Sequence, residues 1–129
     1  MYITQLSVFV ENQTGRLSEV LDELTAHNIN IRALSMADTE KYGILRMIVD
    51  NTEKAVEVIR ASGVIVKSTP VIAIDIDDTP GGLGAVISKL SASNVAVEYL
   101  YAFLAKDAPN AKVVLKVDDP TKAENILAK

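Results

Sequence analysis

The feature that most constrains the fold of this chain is an internal repeat. Residues 10–34, VENQTGRLSEVLDELTAHNINIRAL, align without a gap with residues 76–100, IDDTPGGLGAVISKLSASNVAVEYL. The two copies share seven identical pairs, which are Gly15/Gly81, Leu17/Leu83, Val20/Val86, Leu24/Leu90, Ala26/Ala92, Asn28/Asn94 and Leu34/Leu100. Further on, Val49-Asp50 matches Val117-Asp118 after a two-residue insertion in the second copy. The repeat predicts two similar units, residues 1–69 and residues 70–129.

The hydrophobic pattern gives the same order of elements in both copies. Alternating apolar residues at 6, 8 and 10, and again at 72, 74 and 76, indicate a first strand. Apolar residues at 17, 20, 21 and 24, and at 83, 86, 87 and 90, have the i, i+3, i+4, i+7 spacing of an amphipathic helix. Two further strands and a second helix follow, and only the first copy continues into a fourth strand at 64–66.

This order predicts an α+β protein of two ferredoxin-like βαββαβ units, the second lacking its last strand. Each unit is expected to have an antiparallel sheet with its helices on one face. Pro70 is expected to separate the last strand of the first copy from the first strand of the second. Because the second copy lacks a fourth strand, its first strand, residues 71–77, is expected to lie at a sheet edge. Thr79 is expected to cap a helix that has Pro80 at its first position. Asn28 and Asn94 are expected to end their helices in the left-handed conformation.

The segments ENQTGRL (11–17) and DDTPGGL (77–83) join the first strand of each copy to its first helix. Gly15 and Gly81 permit a sharp turn or a close approach of the backbone to a ligand. The helix N-terminus that follows offers unpaired N–H groups and the positive end of a dipole, which suit a carboxylate. The competing interpretation is an ordinary tight turn, because any strand-to-helix turn favours Gly, Pro and Thr.

In this context the sequence resembles the ACT domain, a regulatory module that binds small molecules. The second copy carries the better match to its turn, Asp78-Thr79-Pro80-Gly81-Gly82-Leu83, and the first copy has Asn12-Gln13-Thr14-Gly15-Arg16-Leu17. The resemblance implies that a small amino acid or related carboxylate binds at ACT–ACT interfaces, between this turn and a neighbouring second strand. It also implies a non-catalytic regulatory role. The alternative is a regulatory subunit or interaction module of a metabolic enzyme that itself binds no small molecule.

The candidate ligand-binding residues are residues 12–17 and 78–83 in the two turns, together with two tyrosines of the second strand of copy two, Tyr99 and Tyr101. Arg16 could pair with a ligand carboxylate or could be a solvated arginine at a helix start. Tyr99, Tyr101 and Phe103 alternate with Leu100 and Leu104, so both faces of this strand are expected to be buried. The tyrosine face then forms either an oligomer interface or part of a ligand pocket. A homodimer is expected.

Composition and charge exclude several classes of function. The net charge of −4 and the lack of a Lys/Arg cluster argue against nucleic-acid or membrane partners. The absence of cysteine excludes disulfides and thiolate chemistry, and it fits a cytoplasmic protein. His27 is the only histidine, and the sequence has none of the common catalytic or phosphate-binding motifs, so no enzymatic activity and no cofactor are expected. Asp75, Asp77, Asp78 and Glu98 are interpreted as solvent-facing carboxylates rather than a metal site.

Overall fold

The computed structural model describes residues 2–11, 13–38, 41–104 and 110–128. Its strands are β1 (Tyr2–Glu11), β2 (Ile31–Asp38), β3 (Tyr42–Val49), β4 (Ile65–Asp77), β5 (Val97–Ala102) and β6 (Asn110–Val117). Its helices are α1 (Arg16–Ala26), α2 (Thr52–Ala61), α3 (Gly82–Ala92) and α4 (Pro120–Leu127). The predicted α+β class and the order of elements are confirmed.

The chain forms two compact units. The N-terminal unit is Thr4–Thr69, and the C-terminal unit is Met1–Ile3 together with Pro70–Lys129. These compact units are defined by which residues are close in space, whereas the predicted repeats are defined by sequence similarity. The predicted repeat boundaries, 1–69 and 70–129, therefore stay a prediction.

The N-terminal unit has the strand order β2-β3-β1-β4, with antiparallel pairing of β1 and of β2 to β3. Every second residue of β1 and β3 points to the face that carries the two helices. These side chains form one core with those of α1, α2 and β4, which comprises Leu6, Val8, Val10, Val20, Leu24, Ile29, Leu45, Met47, Val49, Ala55, Val58, Ile59 and Val66. The helices therefore cover one face of the sheet, as predicted.

The C-terminal unit repeats this arrangement with the order β4-β6-β5, and β6 is antiparallel to both neighbours. Its core is smaller and comprises Ile72, Ile74, Leu90, Val95, Val113, Leu115, Val117 and Ala123. Both units carry a register irregularity at the same repeat position, between Ile31 and Ala33 in β2 and between Val97 and Tyr99 in β5. The two units therefore share this irregularity of strand pairing as well as their order of elements.

The prediction that Pro70 ends a strand is wrong. β4 runs without interruption from Ile65 to Asp77. Pro70 precedes residues 72–77, which pair with β6, so its missing N–H removes no bond from that ladder. β4 also has a hydrogen-bonded neighbour on each side, β1 and β6. β4, which contains residues 71–77, is therefore not an edge strand of the sheet, contrary to the expectation.

The predicted C-terminal ends of α1 and α3 are confirmed, whereas the predicted start of α3 is wrong. Asn28 and Asn94 have φ values of 58° and 61°, which is the predicted left-handed conformation. Thr79 does not cap α3, and Pro80 does not occupy its first position. The helix starts two residues later, after Gly81, because the chain first closes a turn in which the Gly82 N–H donates to the Thr79 carbonyl oxygen at 3.0 Å.

Candidate functional site

The two strand-to-helix turns have the same backbone conformation. Gly15 has φ 90° and ψ −12°, and Gly81 has φ 87° and ψ −4°; each residue is the N-cap of the helix that follows it. A side chain with a Cβ rarely adopts this left-handed region, so glycine is the residue that allows the turn. The sequence pattern therefore located the turns correctly in both copies.

The N-termini of α1 and α3 are open. In the part of the chain that the structure describes, neither helix has a side-chain hydrogen bond at its N-cap. The first bonds inside the helices reach back from Glu19 to Gly15 and from Ala85 to Gly81, so the amides of Leu17 and Ser18, and of Leu83 and Gly84, have no acceptor within the helix. By contrast, α2 and α4 are closed by Asn51 and Asp119, whose Oδ1 atoms accept from Lys54 and Lys122 at 3.2 and 3.1 Å.

The glycines of the second turn have different surroundings. A Cβ at Gly82 would collide with the carbonyl oxygen of Asp77, so Gly82 is needed for the turn to close. A Cβ at Gly81, and likewise at Gly15, would meet no atom within 4 Å. The backbone of both N-cap glycines therefore faces open space, into which a ligand can approach.

A cavity of about 400 Å³ adjoins the first turn. Arg16, Glu11, Glu19 and Glu23 contribute its charged lining, and Tyr42 with residues 62–65 contributes much of the remainder. The guanidinium Nη1 of Arg16 lies 3.0 Å from Oε2 of Glu19, and both side chains are about half exposed. Such an ion pair contributes little to stability. It places a cation at the helix start, where a carboxylate ligand would need one.

The C-terminal unit has a groove of about 460 Å³ between β4, α3 and α4, and none of residues 78–83 lines it. The groove lies at the repeat position of the first cavity, because its residues Asp75, Ala85, Val86 and Lys89 correspond to Phe9, Glu19, Val20 and Glu23. The first and second turns thus share their backbone but differ in their surroundings. Sequence reasoning missed the cavity residues Glu11, Glu19, Glu23 and Tyr42; the i, i+4 spacing of Glu19 and Glu23 on α1 was the available signal.

The remaining predicted turn residues are placed as follows. Asn12 lies outside the described residues. Gln13, Thr14 and Leu17 are exposed, as are Asp78, Thr79 and Pro80, whereas Leu83 is half-buried. The Gln13 and Arg16 amides donate to the Glu11 and Gln13 carbonyl oxygens at 2.8 and 3.2 Å, and these backbone hydrogen bonds help to close the first turn.

Tyr99 and Tyr101 do not lie at the turn of their own unit. Tyr101 is level with Val114 on β6 and, through it, with Ala73 on β4. Ala73 lies four residues before Asp77 on β4, and β5 lies two strands away from β4. Tyr101 is therefore roughly 13 Å along the strands and about 10 Å across them from Asp77, where the second turn begins. The structure therefore divides the candidate residues of the C-terminal unit into two separate groups.

The two faces of β5 differ in burial, so the expectation that both are buried is wrong. Tyr101 is 8% exposed and Tyr99 is half-buried, whereas Leu100 and Leu104 are 38% and 65% exposed. β5 is the last strand in the order of its unit, so the helices reach only part of its leucine face. Within the single chain the tyrosine face is the more buried of the two, with Tyr101 buried and Tyr99 half-buried.

Among the described residues, no three His, Asp or Glu side chains converge on a possible metal position. Glu98 pairs with Lys116 at 3.2 Å instead of joining Asp75, Asp77 and Asp78. His27 Nδ1 lies 3.0 Å from the Glu23 carbonyl oxygen at the end of α1. The longest described helices, α1 and α3, have 11 residues each, and no described helix is long and apolar enough to span a membrane.

Two ferredoxin-like units in tandem, each with a left-handed glycine at the start of its first helix, define the class of paired ferredoxin-like α+β domains. The whole sequence, residues 1–129, matches the family described as the ACT domain pair. The chain belongs to this family.

Solved structures agree with this assignment. Protein BT0572 from Bacteroides thetaiotaomicron is 38% identical, with a TM-score of 0.93 over 99% of this chain and 88% of that one. The ligand-free regulatory subunit of aspartate kinase from Thermus thermophilus has a TM-score of 0.66 at 12% identity, over 99% of this chain and 93% of that one. The same subunit from Thermus flavus gives 0.64 at 14%, over 99% and 92%. The last two likenesses show the fold alone. The comparison with curated proteins found no match.

Proposed function

We propose that this protein is a non-catalytic, cytoplasmic regulatory module that binds a small amino acid or a related carboxylate at its strand-to-helix turns. The observation that carries the proposal is the contrast between the two kinds of helix start. Asn51 and Asp119 cap α2 and α4 with their side chains, whereas among the described residues α1 and α3 start behind left-handed glycines without a side-chain cap. Unpaired amides at a helix start favour a bound carboxylate.

The charges around the first turn suit the two ends of an amino acid. The carboxylate would be held by the amides of Leu17 and Ser18, with Arg16 close by. The ammonium group would find carboxylates at Glu11 and Glu23 in the adjoining cavity. The second turn offers the same amides without these side chains, so we expect the first turn to bind more tightly.

A thermal-shift screen of the full chain against the common L-amino acids tests this proposal. A ligand at 100 times its dissociation constant stabilises the folded state by about 2.7 kcal/mol, which raises the melting temperature by several degrees. The matched control is the amine that lacks only the carboxylate of the best ligand. If that amine stabilises the protein equally, or no amino acid does, the open helix starts are not ligand sites.

A second candidate function is that of a subunit that regulates a metabolic enzyme through protein contacts alone. The fold shared with regulatory subunits of aspartate kinase favours it. This function requires an accessible docking surface but no small-molecule affinity. A negative amino-acid screen together with a saturable protein contact would support it over the first proposal.

A further inference from the structure

The cavity beside the first turn has an apolar lining as well as a charged one. The charged residues come mostly from α1. The apolar lining includes Phe9 on β1, Tyr42 at the start of β3, and Val64 and Ile65 where β4 begins, and these four residues form the apolar wall of the cavity. Tyr42 is 44% exposed and Ile65 is 62% exposed. Large apolar side chains that are open to solvent therefore share a cavity with charged groups.

The internal repeat shows that the fold does not require the aromatic part of this wall. The second copy has Asp75 at the position of Phe9 and Asn110 at the position of Tyr42. Both polar residues are exposed and lie within strands that form as regularly as those of the first copy. The two aromatic residues are therefore not needed to build the sheet. Apolar surface that stays exposed and is grouped in a cavity is typical of a binding site.

The apolar wall lies beside the start of α1. Tyr42 pairs directly with Glu11 in the antiparallel ladder of β3 and β1, and β4, which carries Ile65, is the other neighbour of β1. The turn leaves β1 at this point, because the Glu11 carbonyl oxygen accepts from the Gln13 amide at 2.8 Å. Arg16, at the helix start, lines the same cavity. A molecule held by its carboxylate at the helix start can therefore extend along the apolar wall.

We propose that the site at the first turn selects amino acids with a bulky apolar side chain, which packs against the apolar wall. This inference rests on the proposed function, because the helix start and the cavity carboxylates must hold the α-carboxylate and α-ammonium groups of the ligand. A cavity of about 400 Å³ has the size of a small-molecule site. Contact between the ligand side chain and the wall removes apolar surface of both from water, which stabilises the complex in proportion to the area.

The charged lining narrows the ligand class further. It contains three carboxylates, those of Glu11, Glu19 and Glu23, and one guanidinium, that of Arg16, which already lies 3.0 Å from Glu19. An amino acid with an anionic side chain would bring a further negative charge close to these carboxylates and be repelled. Lysine is the competing ligand that the carboxylates favour. Its terminal ammonium would lose water beside the apolar wall, which costs free energy.

A ligand series on the unaltered full chain tests the inference. Isothermal titration compares L-alanine, L-leucine, L-phenylalanine, L-aspartate and L-lysine, which share both α-groups and differ only in the side chain. We expect leucine or phenylalanine to bind about tenfold or more tightly than alanine, and aspartate to bind more weakly than alanine. If alanine binds as tightly as both, or if lysine or aspartate binds most tightly, the inference is overturned while the proposed function stands. If no amino acid binds, the proposed function itself fails, and the inference fails with it.

Two substitutions at exposed residues connect the selectivity to the apolar wall. Tyr42→Asn introduces the residue that the second copy carries, and Ile65→Thr keeps a β-branched residue in the strand. Each should weaken the binding of leucine or phenylalanine about fivefold and leave that of alanine unchanged. The matched control is Tyr2→Asn, at a tyrosine that is 43% exposed and does not line the cavity, and it should change neither affinity. Circular dichroism checks that each variant is folded. Unchanged affinities in both wall variants, or an equal loss in the control, would overturn the role of the wall.

Discussion

Gly15 and Gly81 occupy the same position of the repeat and adopt nearly the same backbone conformation, with φ values of 90° and 87°. Each ends a turn and leaves the amides of the following helix without an internal acceptor. A Cβ at either residue would point into open space. A larger residue there would therefore be disfavoured only by the left-handed backbone conformation or by a bound molecule.

This relationship predicts the effect of Gly81→Asn and Gly15→Asn. Asparagine tolerates the left-handed region, so each variant should lose only about 1 kcal/mol of stability or less. Its side chain would enter the space that the ligand carboxylate needs, so each variant should lose binding at its own turn. The measurement is isothermal titration with the best amino acid of the screen. The control is Asn94→Gly, at the left-handed end of α3 with φ 61°, which lies at neither turn. Unchanged affinity and stoichiometry in both turn variants would exclude the turns.

The capped helices predict a loss of stability when their caps are removed. Asn51→Ala and Asp119→Ala should each cost about 1 kcal/mol, because an amide of the first turn loses its acceptor. Glu57→Ala, at an exposed position within α2, should change stability by less than about 0.5 kcal/mol. Urea unfolding followed by circular dichroism measures all three. Equal effects of Asn51→Ala and Glu57→Ala would mean that the cap contributes nothing.

Equivalent core positions of the two units differ in burial, so truncating their side chains should cost different amounts of stability. Ile59→Ala removes a side chain that is 1% exposed and should cost about 2–5 kcal/mol. Leu127→Ala, at the equivalent half-buried position, should cost only about 1 kcal/mol, since solvent already reaches that side chain. Urea midpoints of the two variants give the comparison. A larger loss for Leu127→Ala would contradict this expectation, because it would mean that the Leu127 side chain is covered in solution.

The homodimer remains a prediction, but its interface needs revision. We expect light scattering to give about twice the chain mass of 13.9 kDa. Tyr101 is buried within the chain, so an aspartate there would damage the fold rather than test an interface. Leu100 on β5 and Leu104, two residues beyond its end, are exposed and are the better target. Leu100→Asp with Leu104→Asp should yield a folded monomer, because exposed apolar patches beside an end strand favour association. A mass near that of one chain at all concentrations would refute the dimer.

The sequence alone determined the duplication, the α+β class, the order of strands and helices, and the two glycine turns. These features depend on local rules. Period-two and period-3.6 patterns select strands and helices, and a left-handed position selects glycine or, at Asn28 and Asn94, asparagine. The cap residues Asn51 and Asp119 follow from the same local chemistry.

Only the tertiary structure decided the rest, because the deciding contacts join residues distant in sequence. Pro70 lies inside one long strand because the ladder to β6 begins after it. Tyr101 and Leu100 are neighbours in sequence with opposite burial, which depends on which face of β5 the chain covers. Ile59 and Leu127 have equivalent places in the pattern, yet Val64 and Val66 bury the surface around only the first. Sequence periodicity tells which side chains share a face, whereas burial depends on what packs against that face.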